Sequence, residues 1–168
     1  MPHSKTLILN HHQIEQKINR IAYQIYEDNH NEKQIIMAGI ETNGFIFAQL
    51  LKDKIESISP IQVILQSLKI DKKNPIENKV SLNLSNSQIK NQSIVVVDDV
   101  LNSGKTMMYG LQCFLGVPIK KLTTAVLVNR SHKRFPVNAN YVGLSLATTL
   151  EEHIEVSLEK ENYGAYLS

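Results

Sequence analysis

Asp98 and Asp99, followed closely by Asn102-Ser103-Gly104-Lys105-Thr106, are the residues of this chain best equipped for chemistry. Ionised carboxylates only accept hydrogen bonds, so an adjacent pair suits two neighbouring hydroxyls, as on a ribose ring. The small-residue turn at 102–104 can converge backbone N–H groups on an anion, and a helix beginning near Lys105 and Thr106 would add unpaired amides and partial positive charge. A phosphate fits there. Because the Asp pair would repel that phosphate, the two halves of the string must grip different parts of one ligand, and a phosphorylated sugar offers both. A P-loop fails on spacing, since the motif requires glycine five residues before Gly104, and position 99 is Asp. A plainer alternative is a buried strand and a capped helix with Asp turn residues, which explains a lone Asp pair better than the whole string in register.

The elements that must position these residues follow from the hydrophobic pattern. Ile94 to Val97 are consecutive β-branched residues, the mark of a strand buried on both faces. Asp98 and Asp99 then fall at its carboxyl end, where open α/β sheets bind ligands. Upstream, Ile14, Ile18, Ile21, Ala22 and Ile25 recur at helical spacing behind an Asn10 cap with Gln13 three residues on, predicting a helix over 11–29. On such a helix His11 and His12 cannot face one metal.

Further strands are predicted at Gln34–Ile40, after Pro60 through Leu68, and at Lys121–Val128, Tyr141–Leu146 and His153–Leu158, with Tyr163–Leu167 as an edge. Helices are predicted at 45–58 and 107–115, the second stopped by Gly116 and Pro118. The alternation implies an α/β fold: a mostly parallel sheet with helices on both faces, plus a small β appendage. The polar stretch 69–92 carries only the Val80 to Leu84 alternation, read as a short hairpin arm within a flexible loop that would close over an active site or, equally, be an ordinary disordered surface loop.

The 168 residues suit one domain spanning 1–168. A net charge of +2 argues little about nucleic acid, which needs clustered cations. Cys113 is the single cysteine, so no internal disulfide forms, and its neighbours Phe114 and Leu115 suit burial over reactivity. No run approaches about 18 apolar residues and the start does not read as a signal peptide, so no membrane partner and a cytoplasmic location are expected.

Three strand-terminal segments should meet at one sheet edge: Glu41-Thr42-Asn43-Gly44, Asp98 to Thr106, and Asn129 to Pro136. DDVLNSGKT at 98–106 resembles the signature of the type I phosphoribosyltransferases, which bind 5-phosphoribosyl-1-pyrophosphate. RIAYQI at 20–25, MAGIETNG at 37–44, LVNRSHKRFPVNANYVG at 127–143 and EVSLE near the end are similar, in order and spacing, to the pyrimidine operon attenuation regulators that are also uracil phosphoribosyltransferases. The resemblance spans most of 14–167 and is weakest at 69–92.

The resemblance implies a role for each segment. Asp98 and Asp99 would hold the ribose hydroxyls and act indirectly on the metal, while Asn102, Ser103, Gly104, Lys105 and Thr106 would wrap the 5′-phosphate. Glu41, Thr42, Asn43 and Gly44 would form the pyrophosphate loop. Val128, Asn129, Arg130 and His132 would lie over the base. A base nitrogen would attack the anomeric carbon as Mg²⁺-bound pyrophosphate leaves, chemistry that needs placement and charge neutralisation more than a strong base. Partners implied are a nucleobase, phosphoribosyl pyrophosphate or a nucleotide, RNA, and a second copy in a homodimer.

The chain departs from that pattern at named positions. The regulator-like relatives usually read GIKTRG where this chain has GIETNG at 39–44, so two cations are gone and Glu41 adds an anion facing the leaving group unless it turns away. Asn102 replaces an Asp of the hypoxanthine-guanine enzymes and cannot serve as a general base, which disfavours purines. In 69–92 only Lys69, Lys72 and Lys73 stand as cationic candidates. A second reading therefore comes from another class: a nucleotide or sugar-phosphate sensor with weak catalysis that regulates RNA. Arg130, His132, Lys133 and Arg134, with Lys120 and Lys121 nearby in sequence, form the cationic run such a regulator would use, a merely solvated loop, or a source of one cation that assists the phosphates or closes the subunit interface.

Overall fold

Every strand of the main sheet runs the same way. The computed structural model describes residues 5–71, 73–76 and 80–168, and its main sheet has the order β3-β2-β4-β5-β6, with all neighbours parallel. These strands are β2 (Gln34–Ile40), β3 (Gln62–Leu68), β4 (Ser93–Leu101), β5 (Lys121–Arg130) and β6 (Tyr141–Leu146). The chain passes from β2 outward to β3, then returns to lay β4 on the other side of β2. That reversal opens a crevice at the carboxyl ends of β2 and β4.

Alternation along each strand divides two cores. Ile35, Met37, Val95, Val97, Ala125 and Leu127 face one side, packed under α1 (His11–Asp28) and α2 (Asn43–Ile58). Ile36, Ala38, Ile40, Ile94, Val96 and Val126 face the other, covered by Met107 and Phe114 around α4 (Lys105–Gln112) and by Ile89 of the short α3 (Asn86–Ile89). Both faces are thus apolar, which is why these strands read as continuous hydrophobic runs.

α1 places Ile14, Ile18, Ile21, Ala22 and Ile25 against the first core, and its start carries the expected reciprocal box: the Asn10 side chain accepts from the Gln13 amide while Gln13 accepts from the Asn10 amide. His11 Nδ1 accepts from the Tyr163 amide at 3.0 Å and its ring lies 4.5 Å from that of Tyr163.

The appendage is an antiparallel sheet of order β1-β8-β7, formed by β1 (Thr6–Leu9), β7 (Ile154–Glu159) and β8 (Asn162–Leu167). β1 has no signal in the sequence, because a four-residue strand carries too little period to recognise. Its presence makes β8 the middle strand, not the predicted edge. Leu9, Val156, Leu158 and Ala165 seat this sheet on the first core.

Other boundaries also move. β4 runs through Leu101, beyond the predicted end at Val97, because it keeps pairing with β5 after its pairing with β2 ends at Gly39 opposite Val97. α2 begins at Asn43, inside the predicted turn. α4 ends at Gln112, and the stretch predicted helical through 115 tightens into i→i+3 bonds from Phe114 to Leu111 and Leu115 to Gln112. In place of a hairpin, the described part of 69–92 makes one antiparallel bridge, Lys69 to Ser81, with Val80, Leu82 and Leu84 leaning on the second core. Lys72 and residues 77–79 lie outside the described residues. No helix among the described residues is long and apolar enough to cross a membrane.

Candidate active site

Beyond Val97, β4 loses its β2 neighbour and is paired on one side only, through Asp98 to Val126 and Leu101 to Asn129. Asp98 and Asp99 therefore stand in extended backbone at the floor of the crevice. Asp98 is 7% exposed and its Oδ1 accepts from the Asp99 amide at 2.9 Å. Asp99 is half-buried; its Oδ1 accepts from the Val100 amide at 2.9 Å and its Oδ2 from Asn43 Nδ2 at 3.2 Å. Each carboxylate is held by nearby donors, so their orientations are set by the protein itself.

The chain then turns through Asn102, Ser103 and Gly104 into α4. Gly104 has φ of 85°, the left-handed region that a residue with a Cβ rarely adopts, and it occupies the N-cap position of α4. The turn is backed from behind by the β5–β6 connection: the amides of Arg134 and Phe135 donate to the Ser103 carbonyl at 2.9 and 3.0 Å. Ser103 Oγ accepts from the Lys105 amide at 3.3 Å. The first-turn amides of α4 have no intrahelical acceptors, and together with the Ser103 and Thr106 hydroxyls they form an anion-receptive rim. Asp98, Asp99, Ser103, Gly104 and Thr106 all border one cleft of about 310 Å³. Ile154, at the start of β7, closes it; no local sequence signal marks that residue, because it arrives from the appendage.

The 41–44 segment sits beside this cleft without lining it. The Glu41–Thr42 peptide bond is cis, and the Glu41 amide donates to the Leu68 carbonyl at 3.0 Å. Glu41 turns its carboxylate toward β3, where Ser67 Oγ donates to it. Thr42 is exposed, Asn43 reaches Asp99 and the Val156 carbonyl, and Gly44 is pressed against β4. Ser67 was not singled out from sequence, since only the parallel β2–β3 pairing brings it opposite the end of β2.

The third segment is more internal than a cationic run suggests. Val128 is fully buried in the first core. Arg130 is 8% exposed and donates from Nε to Thr148 Oγ1 at 2.5 Å and from a guanidinium nitrogen to the Thr149 carbonyl at 2.7 Å. His132 Nε2 donates to the Thr148 carbonyl at 2.5 Å. Lys133 Nζ donates to Asn129 Oδ1 and to the Arg130 carbonyl, both at 2.6 Å, and burial holds its ammonium below the usual lysine range. Arg130 and His132 therefore clasp the 148–149 loop. Together with Arg134, Asn102 and Ser103 they border a second groove of about 420 Å³, which touches the first through Asn102 and Ser103. Val128 and Asn129 border neither cleft. Lys120 and Lys121 are not part of this group: nine strand steps of β5, roughly 30 Å, separate Lys121 from Arg130. They serve the opposite end, where Lys120 pairs with Glu32 and Lys121 donates to the Asp28 carbonyl.

The chain is similar to known proteins in sequence and in fold. Residues 4–161 match the model of the phosphoribosyl transferase domain. The chain is 32% identical over 162 residues to the bifunctional protein PyrR of Macrococcus caseolyticus, covering 93% of each chain, and 33% identical over 165 residues to that of Alkaliphilus metalliredigens, covering 92% of this chain and 88% of the other. Among solved structures, a hypoxanthine-guanine phosphoribosyltransferase of Bacillus anthracis superposes with a TM-score of 0.76 at 19% identity, over 98% of this chain and 99% of that one. A hypoxanthine phosphoribosyltransferase of Trypanosoma cruzi gives 0.72 at 16% identity, over 86% of this chain and 83% of that one. At such identities the structural likeness speaks for the fold. With the domain match running nearly end to end over a sheet whose switch point holds the Asp98–Thr106 string, the chain belongs to the phosphoribosyl transferase family.

Proposed function

We propose that this protein transfers ribose 5-phosphate from phosphoribosyl pyrophosphate to a nucleobase, uracil before others. The observation that carries the reading is a single cleft in which an acceptor-only pair, Asp98 and Asp99, lies beside the anion-receptive turn Asn102 to Thr106. The Asp carboxylates accept the 2′ and 3′ hydroxyls of the sugar, and Ser103, Thr106 and the α4 amides hold its 5′-phosphate. With both ends of the sugar fixed, the anomeric carbon is positioned, and the bond to pyrophosphate breaks as the base nitrogen bonds to that carbon. The curated relatives' name, bifunctional protein PyrR, supports the pyrimidine direction, and Asn102, which cannot act as a base on a purine, supports it too.

The leaving pyrophosphate meets the 41–44 turn. The bond from Ser67 turns the Glu41 carboxylate toward β3, which relieves the like-charge conflict and leaves the exposed Thr42 and backbone amides for the anion. Mg²⁺ fits this donor set in a limited way. The described residues hold no cluster of three or more His, Cys, Asp or Glu side chains that could cage a metal, whereas Mg²⁺ is ordinarily held by one or two carboxylates together with substrate phosphates and waters. Asp98 and Asp99 would be its protein side, indirectly, and when bound it supplies neutralisation of the departing charge.

Incubating the purified protein with phosphoribosyl pyrophosphate, Mg²⁺ and each nucleobase in turn, and measuring pyrophosphate, tests the reading. Release with uracil above all other bases is expected; no release with any base would remove the enzyme reading. A second, regulatory activity toward RNA draws on the groove bordered by Ser131 to Arg134, where Ser131 and Arg134 are exposed next to the nucleotide cleft.

A further inference from the structure

We infer that Asn43 is a positioning residue for the sugar site, acting through Asp99 in place of direct service to pyrophosphate. Its amide nitrogen makes two bonds in different directions, one to Asp99 Oδ2 at 3.2 Å and one to the Val156 carbonyl at 2.8 Å. A carboxylate and a carbonyl only accept, so the amide has one possible orientation, with both its N–H groups committed. The Val156 carbonyl belongs to β7, an element held on the first core by the buried side chains of Val156 and Leu158. Asn43 therefore ties a catalytic carboxylate at the end of β4 to the appendage, across the start of α2.

The neighbouring glycine tightens the same contact. A Cβ on Gly44 would lie 2.9 Å from the Asp98 Cα, from Asp98 Oδ1 and from the Val97 carbonyl, so α2 begins in direct contact with the backbone of the carboxylate pair. Asp99 then has a donor on each oxygen, the Val100 amide on Oδ1 and Asn43 on Oδ2. Each carboxylate oxygen carries two lone-pair directions, so both keep one for a sugar hydroxyl while the group itself is prevented from rotating. The neutral amide does this without cancelling the negative charge that makes Asp99 a strong acceptor, whereas a cation at position 43 would compete for that same oxygen.

This inference rests on the reading of Asp99 as an acceptor for ribose hydroxyls. It is tested with Asn43→Ala and the isosteric Asn43→Asp, measuring KM for phosphoribosyl pyrophosphate, KM for the base, melting temperature, and calorimetric affinity for uridine 5′-monophosphate. Loss of one hydrogen bond to a charged group predicts a rise of about 10-fold or more in KM for the sugar pyrophosphate and a matching loss of nucleotide affinity in Asn43→Ala. Asn43→Asp, which sets like charge beside Asp99 and the Val156 carbonyl, should be worse on both measures. KM for the base should stay within about twofold. Both variants holding sugar pyrophosphate KM and nucleotide affinity within about twofold of the parent would overturn the role, as would equal rises for sugar and base. If the parent protein releases no pyrophosphate, the transferase reading fails by itself, and the nucleotide affinities of the two variants still decide the role of Asn43.

Discussion

Gly104 is the residue on which the turn from β4 into α4 depends most directly. Its φ of 85° belongs to glycine, and a Cβ there would approach the Phe135 carbonyl to 3.2 Å, with backbone on the receiving side. Forcing a side chain into the left-handed region costs about 1–2 kcal/mol. Gly104→Ala should therefore lower the urea midpoint by a corresponding amount and weaken binding of uridine 5′-monophosphate, whose phosphate the turn would grip; unchanged affinity would mean that the anion sits elsewhere. Glu41 shows the converse. Its charge looks damaging in a string of letters, and a hydroxyl from the neighbouring strand turns the carboxylate toward β3.

At the scale of elements, α1 is fastened at both ends, and the far end gives a pH signature. Tyr141, at the start of β6, donates its hydroxyl to Asp28 Oδ2 at 2.7 Å. Burial first, then the bond and the negative charge of Asp28, push the phenol well above the ordinary tyrosine range. The folded state thus keeps a proton that the unfolded chain releases near pH 10. The stabilisation is complete below about pH 10 and declines as pH rises beyond it, because the unfolded state gains by ionising first. Absorbance titration should show one tyrosine that ionises only with alkaline unfolding, and Tyr141→Phe should flatten the fall in stability above pH 10. An unchanged alkaline fall in that variant would assign the effect to other groups.

Across the whole molecule, the distribution of cations limits what the surface can do. Arg130 and Lys133 are committed inside, and Lys120 and Lys121 lie at the amino-terminal end of β5. Among the described residues bordering the second groove, that leaves Arg134 as the exposed cation. If single-stranded RNA binds there, each chain neutralises about one phosphate, and log K should fall against log salt with a slope of about −0.7. Arg134→Ala should abolish that dependence. A slope several-fold steeper would place the RNA on a different or larger surface.

Much of this architecture was legible from residues alone, for stated reasons. The parallel strands announce themselves because burial on both faces demands unbroken apolar runs, and α1 because an 18-residue amphipathic helix repeats its period often enough to be unmistakable. The Asp98–Thr106 site was legible because all its parts are local: a strand end, a glycine turn and a helix start adjoin in sequence. The sequence by itself therefore determined that an acceptor-only carboxylate pair and an anion-receptive turn adjoin at one strand end. Only the tertiary structure decided how its neighbours are used, since those contacts join residues far apart in the chain: Ser67 taking the Glu41 carboxylate, the Val156 carbonyl and Asp99 sharing Asn43, Ile154 closing the cleft, and Arg130 turning inward to Thr148 and Thr149. A side chain's type is written in the sequence, but its partner depends on which strand the fold lays beside it.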